Sequence, residues 1–328
     1  MTRLLIGGYS GEKGQGSGIA VVDDGEVTAV VPADSPSWIA IHPDLPVLYA
    51  VAENDEGRVH AWSLTDGVPD QPLGTGATGG AEPAHLTVDG SGRYLITANY
   101  SGGSISVHRL GPDGSIGDRT DLVQHEAHGE GPRQEQAHPH MVRASGDGVL
   151  VTDLGADAIY RYRLTADGKL QREGVIAAPA GSGPRHVLPV GDRYYLTAEL
   201  SGQVLAYDGD GHLIGAVPAS TVPANNGPAS TGTGPNQPSE LASGGRYLYV
   251  ANRGPDTISV FALDDPLPQY ITEVPTGEWP RHIALHGDRL YVANERSHSV
   301  MVMEIDPATG IPALVQTIEV PSPTVVLP

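Results

Sequence analysis

A degenerate repeat runs through the whole chain and limits its possible folds more than any other feature. Six segments share one pattern: a proline, two variable residues, an apolar run, a turn, then a second apolar run ending in small or polar residues. They begin at Pro36, Pro83, Pro139, Pro184, Pro238 and Pro280. A third strand-like run follows, such as SISVHRL, AIYRYRL, TISVFAL or SVMVMEI, and usually a weaker fourth. The prolines recur 42 to 56 residues apart. Four strands in roughly 40–50 residues is the period of a β-propeller blade. Almost no window shows helical periodicity, and turn signals recur every few residues between the runs.

The seventh unit is split between the chain ends. PTVVLP, from Pro323, resembles the first run of the motif, and LLIGGYSG, residues 4–11, resembles the second; LITANYSG at 95–102 is the closest parallel. GIAVVDD and VTAVV supply the third and fourth runs. The expected fold is therefore all-β: one seven-bladed β-propeller over 1–328, with four-stranded antiparallel blades. Its ring is closed by terminal strands paired in one blade, so truncation at either end should be poorly tolerated.

Composition narrows the function. The 43 Gly and 28 Pro of 328 residues would suggest disorder if scattered, but here they punctuate the strand runs as turns. There is no Cys, so neither a disulfide framework nor a thiolate metal site can form, which fits a reducing cytoplasm. The N-terminal apolar run is broken at once by Gly, unlike a signal peptide. No apolar stretch approaches the ~20 residues of a membrane span. The net charge of −20 argues against nucleic acid. An anionic ligand would need a local cluster of Arg.

The repeat supplies one. In a propeller the first strand of each blade lies innermost and the second runs antiparallel beside it, so the start of the first meets the end of the second near the axis. Two sets of residues are thereby gathered on one face. After the blade prolines stand Ser37-Trp38, Ala84-His85, His140-Met141, Arg185-His186, Ser239-Glu240 and Arg281-His282. Closing the second runs stand Glu53-Asn54, Asn99-Tyr100, Asp153-Leu154, Ala198-Glu199, Asn252-Arg253 and Asn294-Glu295. Polar groups at buried strand ends are costly unless paired or used.

His85, His186 and His282 occupy one slot, and a residue repeated from blade to blade is expected to hydrogen-bond between blades. Asn99, Asn252 and Asn294, with Asp153 in the same slot, are expected to cap turns. His140, Glu199 and Arg253 interrupt the repeat and are the better candidates for chemistry. Arg185 joins them because His140 and Glu199 lie in the preceding blade and its own. The two longest connections, before Pro139 and before Pro238, should form a rim or lid on this face. GEKGQGSG at 11–18 lacks a following helix and reads as a hairpin connection, and no serine nucleophile elbow is present.

The stretches HPHMV, VTDLGAD, GSGPRH, LTAELS, YVANRGPDTISVF and GEWPRHIAL, with RQEQAHPH at 133–140, resemble the propeller-type lactonase family. That family holds cofactor-independent 6-phosphogluconolactonases and the carboxymuconate lactonizing enzyme, a cycloisomerase. The likeness covers essentially the whole chain; the eroded first strand in PSELASGGRY, from Pro238, departs from it locally. It implies a catalytic His at His140, a substrate-binding Arg at Arg185, an acidic residue at Glu199 and an anion-binding Arg at Arg253. Arg133, Gln134, His138, Arg281, Tyr100 and His186 are further candidates for substrate contact. No cofactor and no metal are expected.

Lactone hydrolysis needs water delivered to an acyl carbon and charge stabilised on the carbonyl oxygen. His140 can serve as general base, with Glu199 orienting it or handling a proton; Arg185 and Arg253 can hold a phosphate or carboxylate. The substrate would be a small phosphorylated or carboxylated lactone. The same residue types would serve a lactonizing cycloisomerase. A non-catalytic binding scaffold would instead present a flat apolar or charged face.

Overall fold

The computed structural model describes residues 3–224 and 234–328. Its strands form seven four-stranded antiparallel sheets, each built from strands in chain order except one. The exception is the closing blade: Pro323–Leu327 is its inner strand, followed outwards by Arg3–Gly8, Gly18–Asp23 and Glu26–Pro32. Leu5, Ile6 and Gly7 pair with Leu327, Val326 and Val325, so the ring closes as the repeat requires. The inner strands of the other six blades are Ile39–Ile41, Pro83–Val88, Pro139–Ser145, Pro184–Val190, Gln237–Gly244 and Pro280–His286.

Burial follows the radial position of each strand. Second and third strands such as Tyr94–Asn99 and Ser104–Leu110 are almost wholly buried, while fourth strands such as Glu26–Pro32 face solvent. The apolar clusters lie between neighbouring blades. Tyr94, Ile96 and Val107 of blade two pack on Val142, Val151 and Tyr160 of blade three. Leu4, Ile6 and Val326 of the closing blade pack on Tyr291, Val300 and Val302 of blade six. A blade cannot bury both faces alone, so the ring is the unit of stability. Where the closing blade meets blade one, a Cβ on Gly7 would lie 2.1 Å from the Pro36 carbonyl oxygen, so only glycine fits there.

One irregularity recurs and matters for the site. From blade two to blade six, the inner strand carries a bulge just after its proline: Pro83 pairs with Asn99 but His85 with Ala98, and blades three, four and six repeat this at His140, Arg185 and Arg281. Blade five has its register shift between Pro238 and Leu241. A bulge sets two residues against one and re-aims side chains. Here it occurs where the inner strand begins, at the mouth of the central channel.

Candidate active site

The residues that close the second strands form a ring around the channel mouth: Tyr9, Glu53, Tyr100, Leu154, Glu199, Arg253 and Glu295. The topology places Ala52-Glu53 in register with Asn99-Tyr100, so the pairing Glu53-Asn54 drawn from sequence is one residue out in blade one. Tyr9, after Gly8 in the closing blade, completes the ring.

Glu199 is the centre of the charged cluster. It is 1% exposed, and three guanidiniums converge on it. Arg133 Nη1 lies 2.6 Å from Oε1; Arg253 Nη2 and Arg185 Nε lie 2.6 and 3.2 Å from Oε2. Burial alone would raise the carboxyl pKa, but Arg253, Arg133 and Arg185 outweigh it and hold the group well below the usual carboxylate range. Each guanidinium has a second anchor. Arg185 Nη1 donates to the Ser239 carbonyl at 2.7 Å, Arg253 Nε to the Gln237 carbonyl at 3.1 Å, and Arg133 Nη2 to the Tyr100 hydroxyl at 3.2 Å. Arg253 also lies over the Trp279 ring. Burial, then Arg253, pushes the Arg185 guanidinium pKa down, and burial does the same to Arg253.

A second cluster faces it across the mouth. Arg281 donates from Nη1 to Glu295 Oε2 at 3.1 Å and from Nη2 to the Tyr9 hydroxyl, over whose ring it also lies. Tyr9 in turn donates to Glu53 Oε1 at 2.7 Å, and Ser37 bonds the other Glu53 oxygen. Four guanidiniums thus meet three carboxylates: Glu199, Glu295 and, through Tyr9, Glu53. The excess positive charge gives an acidic protein a local site for an anion.

His140, on the bulge of blade three, is buried beside these cations. It packs edge-on to Tyr100, with ring centroids 5.6 Å apart, and to His186 at 5.1 Å. Burial, followed by the charge on Arg185, holds its pKa well below the ordinary histidine value, so the imidazole is neutral at neutral pH. The expected pairing of Glu199 with His140 is not formed: both Glu199 oxygens are committed to guanidiniums.

The long connection before Pro139 lies over the mouth and carries Arg133, whose side chain is 45% exposed, with φ 64°. Asp153 anchors this loop: one oxygen accepts from the backbone N–H groups of His138 and Ala156, and the other bonds His125 Nδ1 at 2.6 Å. Asp153 is structural, as its slot suggests. Gln134 is a correction to the sequence reading. It is fully buried and donates from Nε2 to the Leu154 carbonyl at 2.8 Å, acting as a strut of the loop and not a substrate contact. A Cβ on Gly129 or Gly131 would lie 2.8 or 2.7 Å from its amide oxygen, so a side chain at either position would press on it. His138 stacks on Tyr100 and its Nδ1 bonds the Tyr100 carbonyl. The other long connection, before Pro238, lies largely outside the described residues.

The remaining polar slots divide. Asn99 and Asn252 bond Ser104 and Ser259 on their third strands, and Asn294 accepts from Thr276, so this slot braces the blade. His186 and His282 bond the next blade, to Glu240 Oε2 at 2.8 Å and from the Val326 N–H at 3.3 Å. His85 does not, and stacks on Trp38 with ring centroids 3.9 Å apart. All three histidines surround Trp38 inside the channel. Below them the channel opens on the opposite face into a cavity of about 570 Å³, lined by Leu188, Leu285 and Leu327 together with Arg143 and Glu240.

Glu53, Glu240 and Glu295 stand in the two sets gathered on this face without being singled out, and Tyr9 is absent from both. The alignment of LLIGGYSG with LITANYSG already put Tyr9 level with Tyr100 and could have found it.

The seven-bladed β-propeller lactonase family model matches residues 3–328. A 6-phosphogluconolactonase of Bacillus subtilis is 29% identical over 312 residues, covering 89% of this chain and 86% of the relative. One from Formosa agariphila is 29% identical over 94% of this chain and 93% of its own. A periplasmic gluconolactonase of Pseudomonas aeruginosa superposes with a TM-score of 0.87 at 30% identity, covering 99% and 98% of the two chains. The split blade, the bulged inner strands and the match across all seven sheets agree: the chain belongs to the seven-bladed β-propeller lactonase family.

Proposed function

We propose that the protein hydrolyses a small anionic sugar-acid lactone, as 6-phosphogluconolactonases do. The observation that carries this reading is the neutral, buried His140 beside a carboxylate clamped by three guanidiniums. The positive excess at the mouth draws the anionic substrate, and N–H groups of Arg185 and Arg253 not taken by Glu199 face its phosphate and its developing oxyanion. Glu199 does not move protons here; it holds the guanidiniums in place and stays ionised. His140 takes a proton from the attacking water at Nε2 and returns it to the ring oxygen as that oxygen leaves. Arg133, Tyr100 and His138 close the loop side of the pocket, and Arg281 with Tyr9 the other.

The relatives named above support this substrate class. The reading treats all 328 residues as one catalytic propeller. The Pseudomonas relative is named periplasmic, so the cytoplasmic assignment rests on a phosphorylated substrate and not on the lack of Cys. No helix of the described residues is long and apolar enough to cross a membrane.

The test is acid release from 6-phosphogluconolactone, followed at constant pH against the spontaneous rate. Acceleration that is lost in His140→Ala and in Arg185→Ala supports the reading. No acceleration, or unchanged rates in both variants, would refute it. Loss of a muconate chromophore without lactone hydrolysis would point to the cycloisomerase branch.

A further inference from the structure

His140 gains a positive charge when it takes a proton, and it does so among cations. Arg185, Arg281 and Arg253 all face it, together with His186. Tyr100 and His138, on the loop side, bring no negative charge. Glu199 is committed to its three guanidiniums. A base in this position needs a carboxylate behind it, and the nearest contacts supply none directly.

The structure holds one a step away. Glu240, on the inner strand of blade five, is 5% exposed. Its Oε1 accepts the Leu241 N–H at 3.0 Å, and its Oε2 lies 2.8 Å from His186 Nδ1 and 3.8 Å from His282 Nε2. Burial raises its carboxyl pKa, and His282, Arg185 and Arg143, which face it, favour the charged form. With its proton on Nδ1, His186 presents Nε2 as a bare acceptor. That atom is buried and has no hydrogen-bond partner, and the same is true of His140 Nδ1. The two rings are neighbours, 5.1 Å apart and inclined at 66°. Buried polar atoms without partners are uncommon and costly. Here two such nitrogens, one able to donate and one able to accept, belong to adjacent rings. His85, whose two ring nitrogens also lack partners, lies farther from His186, at 5.5 Å, and is stacked on Trp38.

We propose that Glu240 and His186 are positioning residues behind His140: Glu240 fixes the proton on His186 Nδ1, and His186 Nε2 accepts the Nδ1–H of His140 when His140 is protonated at Nε2. This rests on the hydrolytic reading above. The water O–H bond breaks as its oxygen bonds the carbonyl carbon, and the proton goes to His140 Nε2. When the ring C–O bond breaks, the same proton goes to the leaving oxygen, giving the hydroxy acid. No proton need pass to His186. Its role is to aim the ring and to bring the Glu240 charge to bear on the imidazolium, against Arg185, Arg143 and Arg253, which also face His186.

The test compares the full-length protein with Glu240→Gln, recording kcat/KM for 6-phosphogluconolactone against pH. Activity should rise with pH as His140 loses its proton. Removing the Glu240 charge makes the imidazolium less stable, so in the variant the rising limb moves to lower pH. The plateau should fall by about tenfold or more. Glu240→Asp, which keeps the charge, should keep the limb in place. A limb that does not move in Glu240→Gln, whatever the plateau does, overturns the proposal. Nitrogen-15 spectra of the imidazoles in the wild-type protein provide a second arm that needs no variant to fold. They should show the His186 proton on Nδ1, and finding it on Nε2 overturns the proposal. If the wild type hydrolyses no lactone, the proposed activity fails on its own. The same spectra then still decide the coupling: the His140 titration should move to lower pH in Glu240→Gln, and an unmoved titration overturns it.

Discussion

The two halves of the central channel use the same inner strands, yet handle polarity in opposite ways. At the mouth, charges are concentrated and paired: Glu199 with Arg133, Arg185 and Arg253, and Arg281 with Glu295 and Tyr9. One residue further along the strands, Trp38 is surrounded by His85, His186 and His282, which burial holds neutral, and the walls beyond are mostly aliphatic with Arg143 and Glu240 among them. A strand-end bulge separates the two layers, so adjacent residues such as Arg185 and His186 serve different environments. The mouth suits charge because ions there can pair or meet a substrate. The interior holds fewer charges: Arg143 and Glu240 lie there, and imidazoles fill the slots around Trp38.

Damage to the mouth should therefore cost rate, and damage to the interior at Trp38 should leave rate nearly intact. The largest expected effect is that of His140→Ala, which should lower kcat by about 10²–10⁴-fold while leaving the melting temperature within a few degrees; a large fall in melting temperature with kcat intact would reverse the assignment. Next comes Glu199→Gln. It leaves three guanidiniums without their counter-ion, two of them buried, and breaking a buried pair costs roughly 3–5 kcal/mol. Urea unfolding should show that loss together with a collapse of activity, so the mouth is also a keystone.

Acid titration separates the buried histidines, His140 at the mouth included, from Glu199. A buried His with a lowered pKa gives its full contribution above the unfolded value and loses it as pH falls. For His282, pushed down to about 4, and for His85 and His186, lowered in the same direction, stability should therefore decline from about pH 6.5 downwards. Glu199 is depressed below its unfolded value, so its contribution is present above about pH 4.3 and is lost only below it. Urea midpoints should thus fall in two stages, and a flat profile between pH 7 and 5 would contradict the neutral interior. The smallest effect is expected from Trp38→Phe. It keeps an aromatic ring among the histidines and should cost ~1 kcal/mol of stability with kcat within twofold.

Much of this arrangement could be read without coordinates, for identifiable reasons. The repeat made the blades visible because proline, turn and apolar run recur in order, and the exceptions His140, Glu199 and Arg253 stood out against it. The closing blade was legible because Pro323 and LLIGGYSG complete the same motif. Other features were hidden by their physics. Gln134 sits in a loop whose path follows from Asp153 and two glycines, and no periodicity encodes that path. The Glu53 slot was misplaced by one residue because blade one breaks the small-polar ending shared by the others. The partnership of His186 with Glu240 joins positions 54 apart in chain and one blade apart in space, and it depends on a bulge that strand propensity does not announce.

The pairing of Arg3–Gly8 with Pro323–Leu327 also sets an order of events during synthesis. Tyr9 leaves the ribosome early, yet its partner Arg281 lies 272 residues later, and the strand that seats its blade comes later still. Six blades can stack as they emerge, but Arg3–Gly8 keeps an unpaired edge until Pro323–Leu327 has been made. The Tyr9 side of the pocket is therefore completed only when Pro323–Leu327 is in place, and a nascent chain stalled short of Pro323 would carry the Glu199 cluster in a ring still open.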